Sequence, residues 1–319
     1  MAEEKLPAQI SLRLFATSRS EMRIGMKNIV NEIKGEIFDE ERALYNLKQT
    51  SVIRCRFAGP ADGESVLKEA KDVKVSECDF SLRYPMWHVD GYELSNSVMD
   101  ELTRAALWYT TDGRIQNCRI NGIKAVRECK DIEIDKCEID SCEFGWKSNN
   151  IIMTNTKINS EYIFLDSNNV ILKNVNMTGK YSFQYMNNLE IANSVLDTKD
   201  AFWHSKNVTV KNSIVKGEYL AWFSENLTLI DCEIIGTQPL CYCKNLKLIN
   251  CTMKDTDLSF EYSDVNAEII GNIDSVKNPK SGTIIADSVG DIIFGDAVIE
   301  CSGEVLLRNN KKKYSVKCI

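Results

Sequence analysis

No stretch of this chain approaches the ~20 consecutive apolar residues that a membrane span needs. Histidine is scarce, at 2 of 319 residues, and with only 5 Pro and 16 Gly the chain is neither collagenous nor linker-rich. A basic excess is missing as well. Lys and Arg total 39 against 46 Asp and Glu, a net charge of −7. That balance argues against nucleic acid as a partner, which would call for a basic face. No C-x-x-C pair occurs, so zinc ribbons and thioredoxin-type motifs lack their ligands, and neither a metal nor another cofactor is expected. What remains, 44% hydrophobic and 27% charged residues, belongs to a folded chain.

Twelve Cys are the oddity of the composition. Disulfides would explain them in a small secreted chain, but MAEEKLPAQISLRLFATSRS at the N-terminus has no continuous apolar segment of signal-peptide type. The expected compartment is therefore the cytoplasm, with reduced thiols. Residues 1–33 are expected to be a dispensable extension or cap, or to include a start at Met22 or Met26.

An internal period fixes the architecture. From Gly113 to Asp264 the chain divides into eight consecutive blocks of 19 residues, such as LEIANSVLDTKDAFWHSKN (Leu189–Asn207) and VTVKNSIVKGEYLAWFSEN (Val208–Asn226). Val73–Gly91 is another such block, while Tyr92–Asp112 carries two extra residues and Thr50–Asp72 four. Position three is apolar in all eight gapless blocks (Ile115 to Leu248), and so is position eight (Ile120 to Met253). Asn dominates positions five and nineteen. Short alternating runs predict strands, and Asn at fixed corners predicts tight left-handed turns whose stacked amides bond along the stack. The expected fold is all-β, a right-handed parallel β-helix of about 12 coils at ~4.8 Å each. Its body spans 34–281, and 282–319 form C-terminal coils and a cap. Position six holds Cys55, Cys78, Cys118, Cys137, Cys232 and Cys251, where Cys is expected to act as a small buried hydrophobe.

The corner and core grammar N-[ILV]-x-[ILV]-x-N-[CS]-x-[ILMV], running from about Thr50 to Asp264, resembles the pectin-lyase-like superfamily. More narrowly, GPADGES (59–65), LRYPMWH (82–88), RAALWY (104–109), GKYSFQY (179–185), DTKDAFWH (197–204), GEYL (217–220), GTQPLCYC (236–243) and FEYSDV (260–265) resemble an uncharacterised family of bacterial-type β-helix proteins. The resemblance implies the fold and imports no mechanism. In related β-helices the third strand of each coil and the turn before it build the substrate cleft.

Here that strand, positions eleven to seventeen, holds all five Trp at position fifteen (Trp87, Trp108, Trp146, Trp203, Trp222) and both His at position sixteen (His88, His204). Strand alternation, with charges at positions twelve and sixteen, places twelve, fourteen and sixteen outward. Thirteen and fifteen then face inward and the Trp row becomes core, with Arg127 and Gln184 at position fifteen counting against it. On that reading Tyr162, Phe164, Tyr181, Phe183, Tyr185, Phe202, Tyr219, Phe223 and Tyr242 form an outward aromatic strip. Such a strip suits a carbohydrate-like ligand, whose C–H faces stack on rings. The alternatives are that residues 1–33 or the tail after Ser281 cover it, or that the protein is a non-enzymatic scaffold using it as a homo-oligomer or partner interface.

Two constellations carry the candidate chemistry. Near the N-terminal end Asp62 and Glu64 lie beside Arg83 and Arg104, which could grip an anion, with His88 or Glu128 as proton carrier. In the middle, Lys199, Asp200 and His204 are flanked by Lys180, Glu218, Tyr181, Tyr185 and Tyr219, with Tyr162 and Phe183 of the strip as further ligand-binding candidates. The two His stand six coils apart and cannot share a reaction centre. The Asp-Asp pair of polygalacturonase-like relatives is absent, as is the Asp cluster that binds Ca²⁺ in pectate-lyase-like ones. If the protein is an enzyme, a carbohydrate-active lyase, hydrolase or epimerase is expected.

Overall fold

The computed structural model describes residues 28–309 and 312–315. It is a parallel β-solenoid of about 15 turns, longer than the dozen coils the period suggests. The difference lies in coils that escape the 19-residue count. The first strand, Asn31–Lys34, already pairs with Lys48–Ile53, and the last pairings step by 17 (Asp264 to Ser281) and 21 residues (Thr283 to Glu304). No helix among the described residues is long and apolar enough to cross a membrane.

Each regular coil contributes one strand to a first sheet, such as Asn187–Ala192, and one to a second, such as Val195–Lys199. Neighbouring coils are in parallel register at the repeat length, so that Leu189 faces Val208 and Ile191 faces Val210. On the third side, Met86–Trp87, Leu107–Trp108 and Val126–Arg127 form a short parallel sheet, extended by single bridges such as Arg127 to Trp146. The parallel stack stops where Lys312–Ser315 runs antiparallel on Glu304–Leu307.

The corners explain the asparagines. Asn150, Asn169, Asn188, Asn207, Asn226 and Asn245, at position nineteen, all adopt left-handed backbone, with φ between 50° and 60°. Asn tolerates that region better than branched or bulky residues do. Their amides form a continuous ladder, each Nδ2 donating to the Oδ1 of the residue one coil before, from Asn150 on Asp131 (2.7 Å) to Asn245 on Asn226 (2.8 Å). Position five repeats the device more loosely, with Asn174 on Asn155 at 2.9 Å and Asn212 on Asn193 at 3.5 Å.

Position six is more than a small hydrophobe's place. The corner leaves its peptide N–H without a strand partner, and the side chain at position six of the following coil accepts it. Val175 N–H donates to Ser194 Oγ (3.0 Å), Ser194 N–H to Ser213 Oγ (3.1 Å), and Cys55 N–H to Cys78 Sγ (3.4 Å). The accepting side chain in turn donates to the carbonyl two residues before it, as from Cys78 to Ser76 (3.2 Å) and Ser213 to Lys211 (2.7 Å). Position seventeen works in the same way, with Ser148 N–H on Ser167 Oγ at 3.1 Å. Cys, Ser and Thr interchange there because each is small and can both donate and accept. Among the described residues the cysteines are free thiols.

The inside–outside reading of the third strand is corrected in part. Phe164, Phe183 and Phe202, expected outside, are fully buried and stack along the axis, with centroids 6.5 and 5.2 Å apart. The Trp row, expected in the core, is half-buried at the surface. Alternation fails because much of this segment is not β backbone. In the four coils from Tyr181 to Tyr242, positions twelve, fourteen and sixteen are all left-handed, as at Asp200, Phe202 and His204 (φ 54°, 61° and 55°), and each such residue turns the side-chain direction out of the two-residue period. Positions thirteen and fourteen therefore both point inward.

Asn188 offers a direct test of the ladder. Asn188→Ala should cost about 2–3 kcal/mol, combining a left-handed Ala with the lost amide bonds. Asn188→Gly keeps the backbone conformation and should cost about 1 kcal/mol. Equal denaturation midpoints for Asn188→Ala and wild type would mean that the ladder carries no stability.

Candidate functional site

The left-handed backbone of the third face decides what solvent meets. With positions thirteen and fourteen inward, position sixteen is the exposed row, and it reads Glu69, His88, Tyr109, Glu128, Lys147, Asp166, Tyr185, His204, Phe223, Tyr242, Glu261. In its second half four rings stack at the coil spacing. Tyr185–His204 and His204–Phe223 centroids are each 5.1 Å apart with planes 7° from parallel, and Phe223–Tyr242 follows at 4.8 Å and 16°. Tyr185 is 56% exposed and Phe223 45%. Because each inner ring is covered on both faces by its neighbours, the ladder shows its edges to solvent rather than open faces. Ring edges carry the positive part of the quadrupole, and here the polar groups of Tyr185, His204 and Tyr242 accompany them.

Behind the ladder the Trp side chains are pinned. Trp146 Nε1 donates to the Tyr162 carbonyl (2.7 Å), Trp203 Nε1 to Tyr219 (2.7 Å) and Trp222 Nε1 to Gln238 (2.8 Å), each acceptor lying sixteen residues on. Trp203 and Trp222 stack at 5.5 Å.

The structure brings most of the middle constellation together. Tyr162 and Tyr181 stack at 5.1 Å, and Lys180 Nζ lies 4.3 Å from the Tyr181 ring centre. Lys199 Nζ pairs with Glu218 Oε2 at 2.9 Å and sits 5.7 Å from the Tyr219 ring. One coil position away, Lys216 pairs with Asp197 at 3.0 Å. These pairs edge a groove of about 340 Å³ lined also by Gly179, Gly217, Gly236 and Asp255. The coils close up tightly there: a Cβ on Gly217, at φ 145°, would stand 1.9 Å from the Thr198 carbonyl oxygen. Phe183 drops out of the constellation, since its ring is sealed in the core.

Asp200 is the unusual member. It is only 6% exposed, and burial raises its carboxyl above the ordinary range, against the lowering pull of Lys199 and Lys180. Burial disfavours the ionised form of this carboxyl, and groups shifted in this way concentrate at functional sites.

The N-terminal constellation is only partly assembled. Arg83 Nη2 reaches Asp62 at 3.4 Å and Glu64 at 3.8 Å, and His88 Nδ1 reaches Glu69 Oε1 at 3.4 Å. His88 meets Tyr109 edge-on at 5.0 Å. Tyr109 in turn bonds Glu128, which raises its phenol pKa, and Glu128 is 3.4 Å from Arg127. Arg104 is exposed on a left-handed turn residue (φ 57°) and joins none of these ion pairs. Sequence reasoning missed the burial of position fourteen, although its signal was present. Met86, Leu107, Val126, Gly145, Phe164, Phe183, Phe202, Ala221, Leu240 and Ser259 include no charged residue.

The family model for a protein of unknown function, DUF3737, matches residues 31–306, and the chain belongs to that family. No curated protein matches. Among solved structures, similarity extends to PfbA, a surface adhesin of Streptococcus pneumoniae, at 10% identity over 97% of this chain and 94% of that one (TM-score 0.38). A mannuronic acid specific polysaccharide family 6 lyase from human gut microbiota shares 8% identity over 88% and 82% (TM-score 0.37). The Azotobacter vinelandii mannuronan C-5 epimerase AlgE4 A-module shares 8% over 91% and 94% (TM-score 0.28). These likenesses are remote.

The raised carboxyl of Asp200 fixes the sign of a pH test. Its folded form favours the proton more than the unfolded chain does, so the stability it contributes is present at acid pH and is lost as pH rises through its folded pKa. Asp200→Asn should therefore raise the thermal midpoint at pH 7, and the gap to wild type should shrink as pH falls toward 4. A variant less stable than wild type at pH 7 would show that the ionised carboxylate is a structural partner.

Proposed function

We propose that the third face of the solenoid binds a carbohydrate-like ligand rich in hydrogen-bond acceptors, along the ladder Tyr185–His204–Phe223–Tyr242. The observation that carries this reading is the ladder itself, a row of exposed rings in parallel planes at the coil spacing. Packing does not require it, because the core is already filled by the Phe stack beneath. A ligand with hydroxyl and carboxylate oxygens at regular intervals can meet ring edges, a phenol, an imidazole and, from the groove side, Lys180 and Lys199. Binding by edges replaces the face-stacking expected from sequence and favours an oxygen-rich polymer over an apolar one. Asp200, protonated at a higher pH than an ordinary carboxyl, and His204 are the groups suited to carry a proton if the ligand is also transformed.

The test is a glycan binding screen on wild type and on the Tyr185→Ala/Phe223→Ala double variant, with concentration-dependent sizing of both. The reading predicts at least one saccharide bound by wild type, at least tenfold weaker in the double variant (about 1.4 kcal/mol or more), with unchanged size. Loss of self-association in the variant, with no saccharide bound by wild type, would assign the ladder to an interface between copies of the chain.

A further inference from the structure

The Trp row breaks its own rule at its N-terminal end. Trp146, Trp203 and Trp222 each give the indole N–H to a carbonyl sixteen residues on. Trp87 and Trp108 occupy the same row and stack on each other at 5.3 Å, yet neither buried indole nitrogen completes a hydrogen bond, although that of Trp108 approaches the Tyr109 phenol. For Trp87 the local cause is the two-residue insertion in Tyr92–Asp112. Sixteen residues on from Trp87 is Thr103, whose carbonyl already accepts the Tyr84 N–H at 3.0 Å.

A third donor is stranded nearby. Arg83 Nε is buried and unpartnered, although Arg83 Nη2 has its long contacts to Asp62 and Glu64. The next residue, Tyr84, packs its ring against both indoles, 6.2 Å from Trp87 and 5.9 Å from Trp108. Lys68 Nζ lies 4.1 Å from the centre of the Trp87 ring. All three unmet groups are donors, and a buried donor without an acceptor is destabilising. One oxygen-bearing group could relieve all of them. The carboxylates already present do not: Asp62 is 77% exposed and, like Glu64, stays at or beyond 3.4 Å from Arg83, outside good hydrogen-bond range.

We infer that Arg83, Trp87 and Trp108 line a cryptic pocket for an anionic group, a carboxylate or a phosphate, with the Tyr84 ring as its cover. Swinging Tyr84 outward exposes two indole N–H groups and one guanidinium N–H to the same ligand, with Lys68 supplying further positive charge. This site stands about six coils, ~29 Å, from His204, and its existence does not depend on the ring ladder binding anything.

Indole N–H resonances of protein labelled with ¹⁵N-tryptophan provide the test, with Trp87→Phe and Trp108→Phe used for assignment. Glucuronate and inorganic phosphate are titrated separately at constant ionic strength. The expected result is a saturable shift of the Trp87 and Trp108 signals with at least one of them, while Trp146, Trp203 and Trp222 stay still. A glucuronate response alone identifies a carboxylate site and a phosphate response alone a phosphate site. Arg83→Lys keeps the charge but removes Nε, and should weaken the response about tenfold. Tyr84→Ala removes the cover and should strengthen it. Signals unmoved by either anion in both wild type and Tyr84→Ala would overturn the inference, as would an identical response in a folded Arg83→Lys variant.

Discussion

A closed coil that hands its peptide hydrogen bonds to the coils before and after it must turn through left-handed backbone at fixed places. That constraint governs everything else in this molecule. It places Asn where the first sheet bends, because Asn tolerates the conformation and its amide adds a bond to the next coil. It strands a peptide N–H at position six, which the Cys, Ser or Thr of the following coil then satisfies. On the third side it replaces strand by a run of alternating left-handed residues, and so sends aromatic side chains both into the core and onto the surface.

Two different aromatic stacks result from that one backbone device. Phe164, Phe183 and Phe202 fill the interior, while Tyr185, His204, Phe223 and Tyr242 stand outside two positions later. The interior stack accounts for cohesion. The exterior one has no comparable structural task, and this asymmetry is the physical basis for assigning it to ligand binding.

The solenoid was legible in the sequence because its causes repeat. Nineteen-residue spacing, apolar positions three and eight, and Asn corners each recur often enough to be read without a structure. The end coils were not, since the steps around Asp264, Ser281 and Glu304 depart from the period. The candidate site was legible as a location but not as a geometry. Concentration of Trp and His in one segment marked the third face, yet strand alternation was the wrong rule for residues with positive φ, and it put Phe183 outside and the indoles inside. Position six shows the same limit: Cys beside Ser and Thr suggests small size, whereas the hydrogen bond that selects them appears only when the corner's stranded N–H is seen.

The central claim is that ligands meet this protein on the edges of the outer ring ladder. The most direct measurement follows the His204 ring-proton resonances with and without a saccharide bound by the wild-type protein. Tyr185 and Phe223 cover both faces of that ring, so a ligand on the ladder's edge must alter its chemical shifts, with His88, about six coils away, as the internal control. For a saccharide that leaves the Trp87 and Trp108 indole signals unmoved, the account predicts a saturable change at His204 and none at His88. Such a saccharide binding with His204 untouched would contradict it.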